Sequence, residues 1–174
     1  MKIELIKVPT EDDWLLCKRA AMRTIWKDVG AMPGTDWKHK ILAAGHSPIR
    51  VLPFYISMTD IPYWVAMHLV RHVHSVPFIS SQRNDRQAMY DRCKAPQDAP
   101  VNMDWYMNAE ELINVSHKRL CTQASLETRA VVAEICDLVL DTCPEFEGLL
   151  VPMCMYRNGK CTEFKPCGTA KVTE

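Results

Sequence analysis

Alternating hydrophobic and polar residues mark the predicted strands of this chain. Residues 2–8 alternate in this way, and the apolar segments at 50–58 and 76–80 are also predicted to be strands. The stretch at 81–106 is polar and rich in Arg, Asp and Pro, which predicts a loop. So long a loop is uncommon in a compact domain, and we therefore expect it to serve function or a subunit contact.

Helical periodicity follows and separates these strands. It predicts helices at residues 10–26, 36–44, 108–121 and 125–143, and a further helix that starts at Asp60. Thr10 and Asp60 are the predicted N-caps, and Pro62 would occupy the first turn after Asp60. The sequence contains neither an internal repeat nor a linker, so this order of elements predicts a single α/β domain over residues 1–174.

The composition is that of an ordinary globular protein. Of 174 residues, 48% are hydrophobic and 24% are charged, and 21 basic residues balance 21 acidic ones. A nucleic-acid-binding protein usually carries surplus positive charge, so nucleic acid is not an expected partner. The N-terminus lacks the apolar core of a signal peptide, and Asp60 interrupts the best candidate membrane span. We therefore expect a cytoplasmic protein with no membrane partner.

Basic side chains cluster in the middle of the chain, in the segment VRHVHSVPFISSQR. His68, Arg71 and His72 are spaced so that they share one face at the end of a helix. Such residues can simply cap the last helical carbonyls, and Ser81 and Arg83 can simply be polar residues that leave a strand. Together, the five side chains would present several hydrogen-bond donors around one concave spot. This combination predicts a site for a small anion.

A predicted helix in the second half of the chain offers a partner surface. Asn108, Leu112, Val115 and Arg119 lie nearly in line along one side of it. This pattern is also that of a helix edge with polar ends. Arginine is nevertheless the side chain best suited to bidentate contact with a phosphate or with a pyrimidine carbonyl edge.

Three segments in this order resemble the flavin-dependent thymidylate synthase (ThyX) family, namely HSPIR, VRHVHSVPFISSQR and NAEELINVSHKRLCTQASLETR. The resemblance covers roughly residues 46–143. Arg71 and His72 match the first two positions of the family's RHR signature, and Ser81 matches the serine that follows it after seven intervening residues. The other matched positions are His46, Arg83, Asn108, Asn114 and Arg119.

The resemblance implies an antiparallel sheet packed with helices. It also implies an enzyme that methylates carbon 5 of the uracil in dUMP. Methylenetetrahydrofolate would donate the carbon, reduced FAD the hydride, and NADPH the reducing equivalents. The family forms homotetramers whose sites lie between subunits, and the resemblance implies the same assembly here.

The resemblance also implies a role for each matched residue. Catalytic roles would fall to Arg71, His72, Ser81 and Arg119. FAD would be bound by His46, Arg71, His72, Asn108 and Asn114. The nucleotide would be bound by Ser81, Arg83 and Arg119. His68, which is not one of the matched positions, is assigned to the nucleotide because it shares a helix face with Arg71 and His72.

Several positions depart from the family pattern. Val73 replaces the last arginine of the signature, Phe78 and Ile79 replace Asn and Glu, and Glu110 replaces a basic residue that contacts flavin. Only positions 84–107 separate the two main motifs, so the family's central helices are missing and the chain resembles a shortened, divergent member. Two alternatives stay open: a related enzyme that modifies a pyrimidine nucleotide with another one-carbon outcome, or a non-catalytic nucleotide-binding protein on the same scaffold.

The eight cysteines are expected to be thiols or metal ligands, because disulfides are rare in the cytoplasm. Residues 150–174 form a turn-rich extension with Cys154, Cys161 and Cys167, which could bind zinc with Cys93 as the fourth ligand. Alternatively, these thiols pack the extension against the core, and no metal ligand is assigned. The other four are predicted core side chains, namely Cys17, Cys121, Cys136 and Cys143.

Overall fold

The structure, a computed structural model, describes residues 1–83, 85, 91 and 93–169. In these ranges the strands are Lys2–Lys7 (β1), Pro53–Pro62 (β2), Ser75–Ile79 (β3) and Pro100–Asn108 (β4). The helices are Glu11–Thr24 (α1), Thr35–Ala43 (α2), Tyr63–Leu69 (α3), Ala109–Arg119 (α4), Leu126–Thr142 (α5) and Met153–Tyr156 (α6). Short 3-10 turns occupy Ser47–Val51 and Pro144–Phe146.

The strands form one antiparallel sheet in the order β1-β2-β4-β3. The two central strands, β2 and β4, pair from Pro53 opposite Asn108 to Pro62 opposite Pro100. β3 is an edge strand that runs beside β4, with Ser75 opposite Met107. The predicted fold class, an antiparallel sheet packed with helices, is confirmed.

One face of the sheet carries the hydrophobic core, because alternate residues of a strand point to the same side. Phe54 and Ile56 of β2 and Met103 and Trp105 of β4 are fully buried on it. The apolar sides of α4 and α5 complete the cluster, through Leu112, Val115, Val131, Ile135 and Val139. The described ranges contain no helix with the length and apolar character needed to cross a membrane.

The boundary between β2 and α3 differs from the predicted one. Asp60, the predicted helix cap, lies inside β2 where the pairing with β4 is irregular, and its φ is +58°. The helix begins only after Pro62, whose backbone is extended. The prediction was wrong because the fixed φ of proline suits both the first turn of a helix and the end of a strand.

The prediction of a loop at residues 81–106 was wrong in its last part, where the chain forms strand β4 from Pro100 onward. Met103 and Trp105 are buried, whereas Asn102 is exposed and Asp104 is partly exposed. This alternation is that of a half-buried antiparallel strand. The outward-facing Asn and Asp gave the segment a loop-like composition, which concealed the period of two.

Three of the predicted cysteine environments are confirmed. Cys17, Cys136 and Cys143 are buried in the core, and burial raises the pKa of each thiol. Cys121 is only partly buried, because α4 ends two residues before it. The prediction that Cys121 is a core residue was therefore wrong.

Polar side chains cap three of the helices. Thr10 caps α1 in a reciprocal arrangement with Asp13, and Ser125 caps α5 through the Thr128 amide. Asn108 caps α4, where its Oδ1 accepts the Glu111 N–H at 2.9 Å. The Asn108 oxygen is thus committed to the helix that carries much of the predicted site.

We expect Asn108→Ala to lower the free energy of unfolding by about 1 kcal/mol, since the Glu111 N–H loses its acceptor. Asn108→Asp keeps the acceptor and should retain most of that stability. Urea denaturation of both variants measures the difference. Equal stability of the Ala and Asp variants would contradict a capping role.

Candidate functional site

The guanidinium of Arg119, at the end of α4, lies against the end of α3. Its Nε–H donates a hydrogen bond to His72 Nε2 at 2.9 Å, and a terminal nitrogen donates to the His68 carbonyl at 2.7 Å. The structure therefore brings together two motifs that are far apart in the sequence.

The contact with Arg119 determines which nitrogen of His72 carries the proton. Because Nε2 accepts a hydrogen bond, the proton lies on Nδ1, which faces Glu111 Oε1 at 3.3 Å. Burial lowers the pKa of His72 to about 4, with further contributions from Arg119 and Arg71. His72 is therefore a neutral imidazole at neutral pH that joins a cation on one side to a carboxylate on the other.

Glu111 is the buried acid of this cluster. Burial raises the pKa of its carboxyl, and a hydrogen bond from Asn114 and the charge of His74 oppose that rise. Glu111 could not be recognised as a site residue from its local sequence alone, because Asn108 followed by a glutamate at the third helical position is also a common helix start. Its position two helical turns before Arg119, on the same face, is the signal that could have identified it.

Two arginines give this cluster its positive character. Arg119 is half-buried, and burial together with the nearby charge of Arg71 lowers its pKa. Within the part of the chain that the structure describes, the side-chain contacts of Arg119 are two neutral acceptors rather than a carboxylate. A half-buried cation with no acid partner favours an anion or a polarised carbonyl oxygen as its ligand.

Two hydrogen bonds, through Ser75, connect the backbone of His72 to strand β4 of the sheet. Trp105 donates its indole N–H to Ser75 Oγ at 2.7 Å, and the Ser75 hydroxyl donates to the His72 carbonyl at 2.5 Å. The ring of Trp105 also packs edge-on against the imidazole, with centroids 6.2 Å apart. Since Trp105 is fully buried, the core of the sheet determines where His72 lies.

His68 contributes to the site mainly through its backbone. Its imidazole Nδ1 lies 3.1 Å from Thr128 Oγ1 on α5, and its ring packs against Trp64. The carbonyl, in contrast, accepts the Arg119 hydrogen bond. The predicted role of the His68 side chain in nucleotide binding stays a prediction.

Two cavities adjoin the 3-10 turn at Ser47–Val51. The larger, of about 420 Å³, is lined by His46 and by apolar residues of α1 and α2 that include Trp37. The smaller, of about 250 Å³, is lined by Asn114 and Glu110 of α4 and by residues of α6. The predicted cofactor residues His46 and Asn114 therefore line separate cavities and lie outside the Arg119–His72 contact.

Glu110 is paired in the structure. Arg50 donates to its carboxylate through Nε at 2.7 Å and through a terminal nitrogen at 3.1 Å. The charge of Glu110, which replaces a basic family residue, is thus balanced within the chain. In the same cavity, the Nε2 atom of His117 is buried and makes no hydrogen bond to any described residue.

Ser81 and Arg83 lie beyond the far end of β3 from His72. Arg83 is exposed and forms a two-point ion pair with Asp85, and Ser81 lines a different cavity beside β4. Ser81 comes six positions after Ser75, which is hydrogen-bonded to His72, and six positions of extended chain span roughly 20 Å. One chain therefore does not bring all five predicted donors around one spot.

Three residues that depart from the family pattern, Val73, Phe78 and Ile79, lie on or near edge strand β3. Val73 and Phe78 are exposed, by 80% and 57% respectively. Ile79 packs against the core. The hydrogen bonds from Arg119 to His72 and to the His68 carbonyl involve none of these side chains, so the central cluster survives the replacements.

Comparison with known proteins finds both a family match and a shared fold. The family model described as thymidylate synthase complementing protein matches residues 86–145. Thymidylate synthase X from Helicobacter pylori, solved with FAD and dUMP, is 16% identical, with 86% of this chain and 99% of that chain covered and a TM-score of 0.67. A second structure of the Helicobacter pylori flavin-dependent enzyme, complexed with FAD and dUMP, is 15% identical over the same shares with a TM-score of 0.65. Curated proteins give no match.

These findings confirm the resemblance to the flavin-dependent thymidylate synthases. The family match contains all of α4 with Arg119, whereas His72 lies before it. The structural match extends the shared fold over most of the chain.

The neutral state of His72 predicts a pH dependence of stability. The imidazole accepts a proton near pH 6.5 when unperturbed and only near pH 4 in the folded protein. The unfolded state therefore binds more protons between these values, and stability falls as the pH is lowered through this window.

The pKa of His117 is also lowered, so His117 contributes to the same pH dependence. The His72→Gln variant retains the His117 contribution, and its difference from the wild type therefore isolates the effect of His72. We expect the unfolding free energy of the wild type to fall more steeply from pH 6.5 to pH 4. Urea denaturation at several pH values measures both slopes. Identical slopes would contradict a neutral, buried His72.

Proposed function

We propose that the protein is a flavin-dependent thymidylate synthase-like enzyme. It methylates carbon 5 of the uracil in dUMP, with methylenetetrahydrofolate as carbon donor, reduced FAD as hydride donor and NADPH as the source of reducing equivalents. The observation that carries the proposal is the half-buried Arg119 cation, which a neutral His72 holds in position. His72 matches the family's signature, and Arg119 matches its helix.

Arg119 and Arg71 suit the pyrimidine end of such a substrate. Arg119 uses two N–H groups to hold its position and keeps the others for a ligand. Donors aimed at a uracil carbonyl would stabilise negative charge that develops on the ring during transfer to carbon 5. Because His72 is neutral, it holds the guanidinium in place without cancelling its charge.

Ser81 and Arg83 suit the phosphate end of the nucleotide. A hydroxyl and a guanidinium are good donors to phosphate oxygens, and Arg83 is exposed and could exchange Asp85 for that ligand. Their distance from Arg119 within one chain supports a site shared between subunits. In such a site, one subunit supplies the Arg119 cluster and its neighbour supplies Ser81 and Arg83.

The open face of the sheet supports the same assembly, a homotetramer. Tyr106 of β4 and Val76 and Phe78 of β3 are large side chains that lie exposed on or beside this face. Apolar side chains grouped on an otherwise polar surface are typical of a protein interface.

The residues around the 3-10 turn fit FAD. His46 opens onto an apolar cavity, and Asn114 and Arg50 offer polar and positive groups beside the second one. An extended dinucleotide with aromatic rings and a pyrophosphate requires both kinds of surface. When bound, FAD would supply the hydride chemistry, and the protein's task is to bind and orient it. Asn108 would act here by holding the first turn of α4.

One observation favours a second candidate, a related pyrimidine-nucleotide-modifying enzyme with another one-carbon outcome. The Glu110 carboxylate lies in the cavity assigned to the cofactor, and its pairing uses the nearest cation, Arg50. A carboxylate there weakens binding of a pyrophosphate relative to a basic residue. The proposed protein works in the cytoplasm, on a free nucleotide and without nucleic-acid or membrane partners.

Mass spectrometry of the product tests the function. We expect protein incubated with dUMP, methylenetetrahydrofolate, FAD and NADPH to form dTMP. A product that carries a different one-carbon group supports the second candidate. Nucleotide binding with no product after full reconstitution would contradict both enzymatic functions.

The shared site predicts complementation between subunits. Arg119→Ala and Arg83→Ala should each weaken dUMP binding by at least about tenfold, because each removes a charge-assisted contact. Arg23→Ala, at an exposed position on α1, is the matched control and should bind normally. Co-expression of the two defective chains should restore tight binding in part, since some mixed sites then contain both arginines. Calorimetry that finds only weak sites in the mixed oligomer would contradict a shared site.

A further inference from the structure

One small cavity outside the proposed site is lined by four cysteines. Cys121 comes from the turn between α4 and α5, and Cys154, Cys161 and Cys167 come from the C-terminal segment. The cavity volume is about 10 Å³, which is close to that of a single water-sized sphere. It has room for one ion and excludes an organic ligand.

Local turns bring these residues together. Cys154 lies in α6, and its carbonyl accepts the Gly159 N–H at 2.8 Å. Asn158 and Gly159 both have positive φ, which turns the chain back and directs Cys161 toward the same cavity. On the other side, the Cys121 carbonyl accepts the Ala124 N–H at 2.9 Å, which fixes the turn before α5.

Hydrophobic burial does not account for the position of the C-terminal segment. Residues 160–169 form neither helix nor strand, and Phe164 is fully exposed. One hydrogen bond, from Gln123 to the Lys165 carbonyl at 3.0 Å, ties this segment to the α4–α5 turn. The four cysteines surround the place where the two segments meet.

We propose that Cys121, Cys154, Cys161 and Cys167 form a tetrahedral zinc site that fastens the C-terminal segment to the α4–α5 turn. Zinc prefers four ligands, and a set of four thiolates is a common structural site. On binding, each thiol gives up its proton to solvent and forms one Zn–S bond, so no oxidation or reduction is involved. The structure thus replaces Cys93, the fourth ligand considered from the sequence, with Cys121.

Metal binding gathers side chains that already line one space. Across the described ranges, no three carboxylate, imidazole or thiol groups are yet arranged as a metal site. The sulfur atoms must therefore turn inward as zinc binds, so that ligation also orders the exposed segment. Glu163 lines the same cavity and is the competing oxygen ligand.

Elemental analysis of untagged protein, purified without oxygen from zinc-supplemented cells, tests the site. We expect about one zinc per chain, as one tetrahedral site requires. Cobalt titrated into metal-free protein should saturate at about one equivalent with the absorption of tetrahedral cobalt bound to thiolates. This second measurement uses the wild-type chain and does not depend on the folding of any variant.

Variants identify the ligands. Serine at any of the four positions, for example Cys121→Ser, should remove the zinc and make residues 157–169 sensitive to protease. Cys93→Ser is the matched control, because Cys93 is exposed and lies outside the cavity, and Glu163→Gln is the control for the carboxylate. Both should keep the metal.

Less than about a tenth of an equivalent of metal in the wild type, together with no tetrahedral cobalt spectrum, would overturn the proposal. Retention of zinc by Cys121→Ser would overturn it as well. Since none of these measurements involves flavin or nucleotide, the outcome is independent of the proposed enzymatic function.

Discussion

The hydrogen bond from Arg119 to His72 is the interaction on which the site depends. It joins the end of α4 to the turn after α3, and it fixes the tautomer through which His72 reaches Glu111. Loss of the imidazole would leave a half-buried guanidinium with one acceptor fewer, at a cost of about 1–3 kcal/mol. The buried Trp105 and Ser75 hold His72 from the sheet side, so the packing of the core also determines the position of the guanidinium.

The choice of a neutral partner gives the cluster its electrostatic character. A carboxylate in direct contact with Arg119 would neutralise it, whereas the imidazole holds it and leaves its charge available to a ligand. The acid of the cluster, Glu111, contacts His72 rather than Arg119. It is buried, and Asn114 satisfies part of its hydrogen bonding. Arg71, which is exposed, adds a second positive charge close to Arg119. The site thus retains a net attraction for an anion although the chain as a whole has no net charge.

Features that depend on near neighbours in the chain could be predicted from the sequence, and those that depend on distant contacts could not. The cap at Thr10 follows from residues within one helical turn, and the structure has it. The cap predicted at Asp60 was wrong because the pairing of β2 with the distant strand β4 extends past it. β4 was missed because Asn and Asp on its outer face resemble a loop. The resemblance to a family selected His72 and Arg119, but only the fold revealed that they touch and that Ser81 lies at the other end of β3.

Nitrogen-15 NMR of the histidine side chains tests the central contact most directly. At neutral pH, we expect His72 to be a neutral imidazole with its proton on Nδ1, because Nε2 accepts the Arg119 N–H. Arg119→Ala should remove this preference, and His72→Gln assigns the signal. A proton on Nε2 of His72, or a charged imidazolium at neutral pH, would contradict the arrangement on which the site depends.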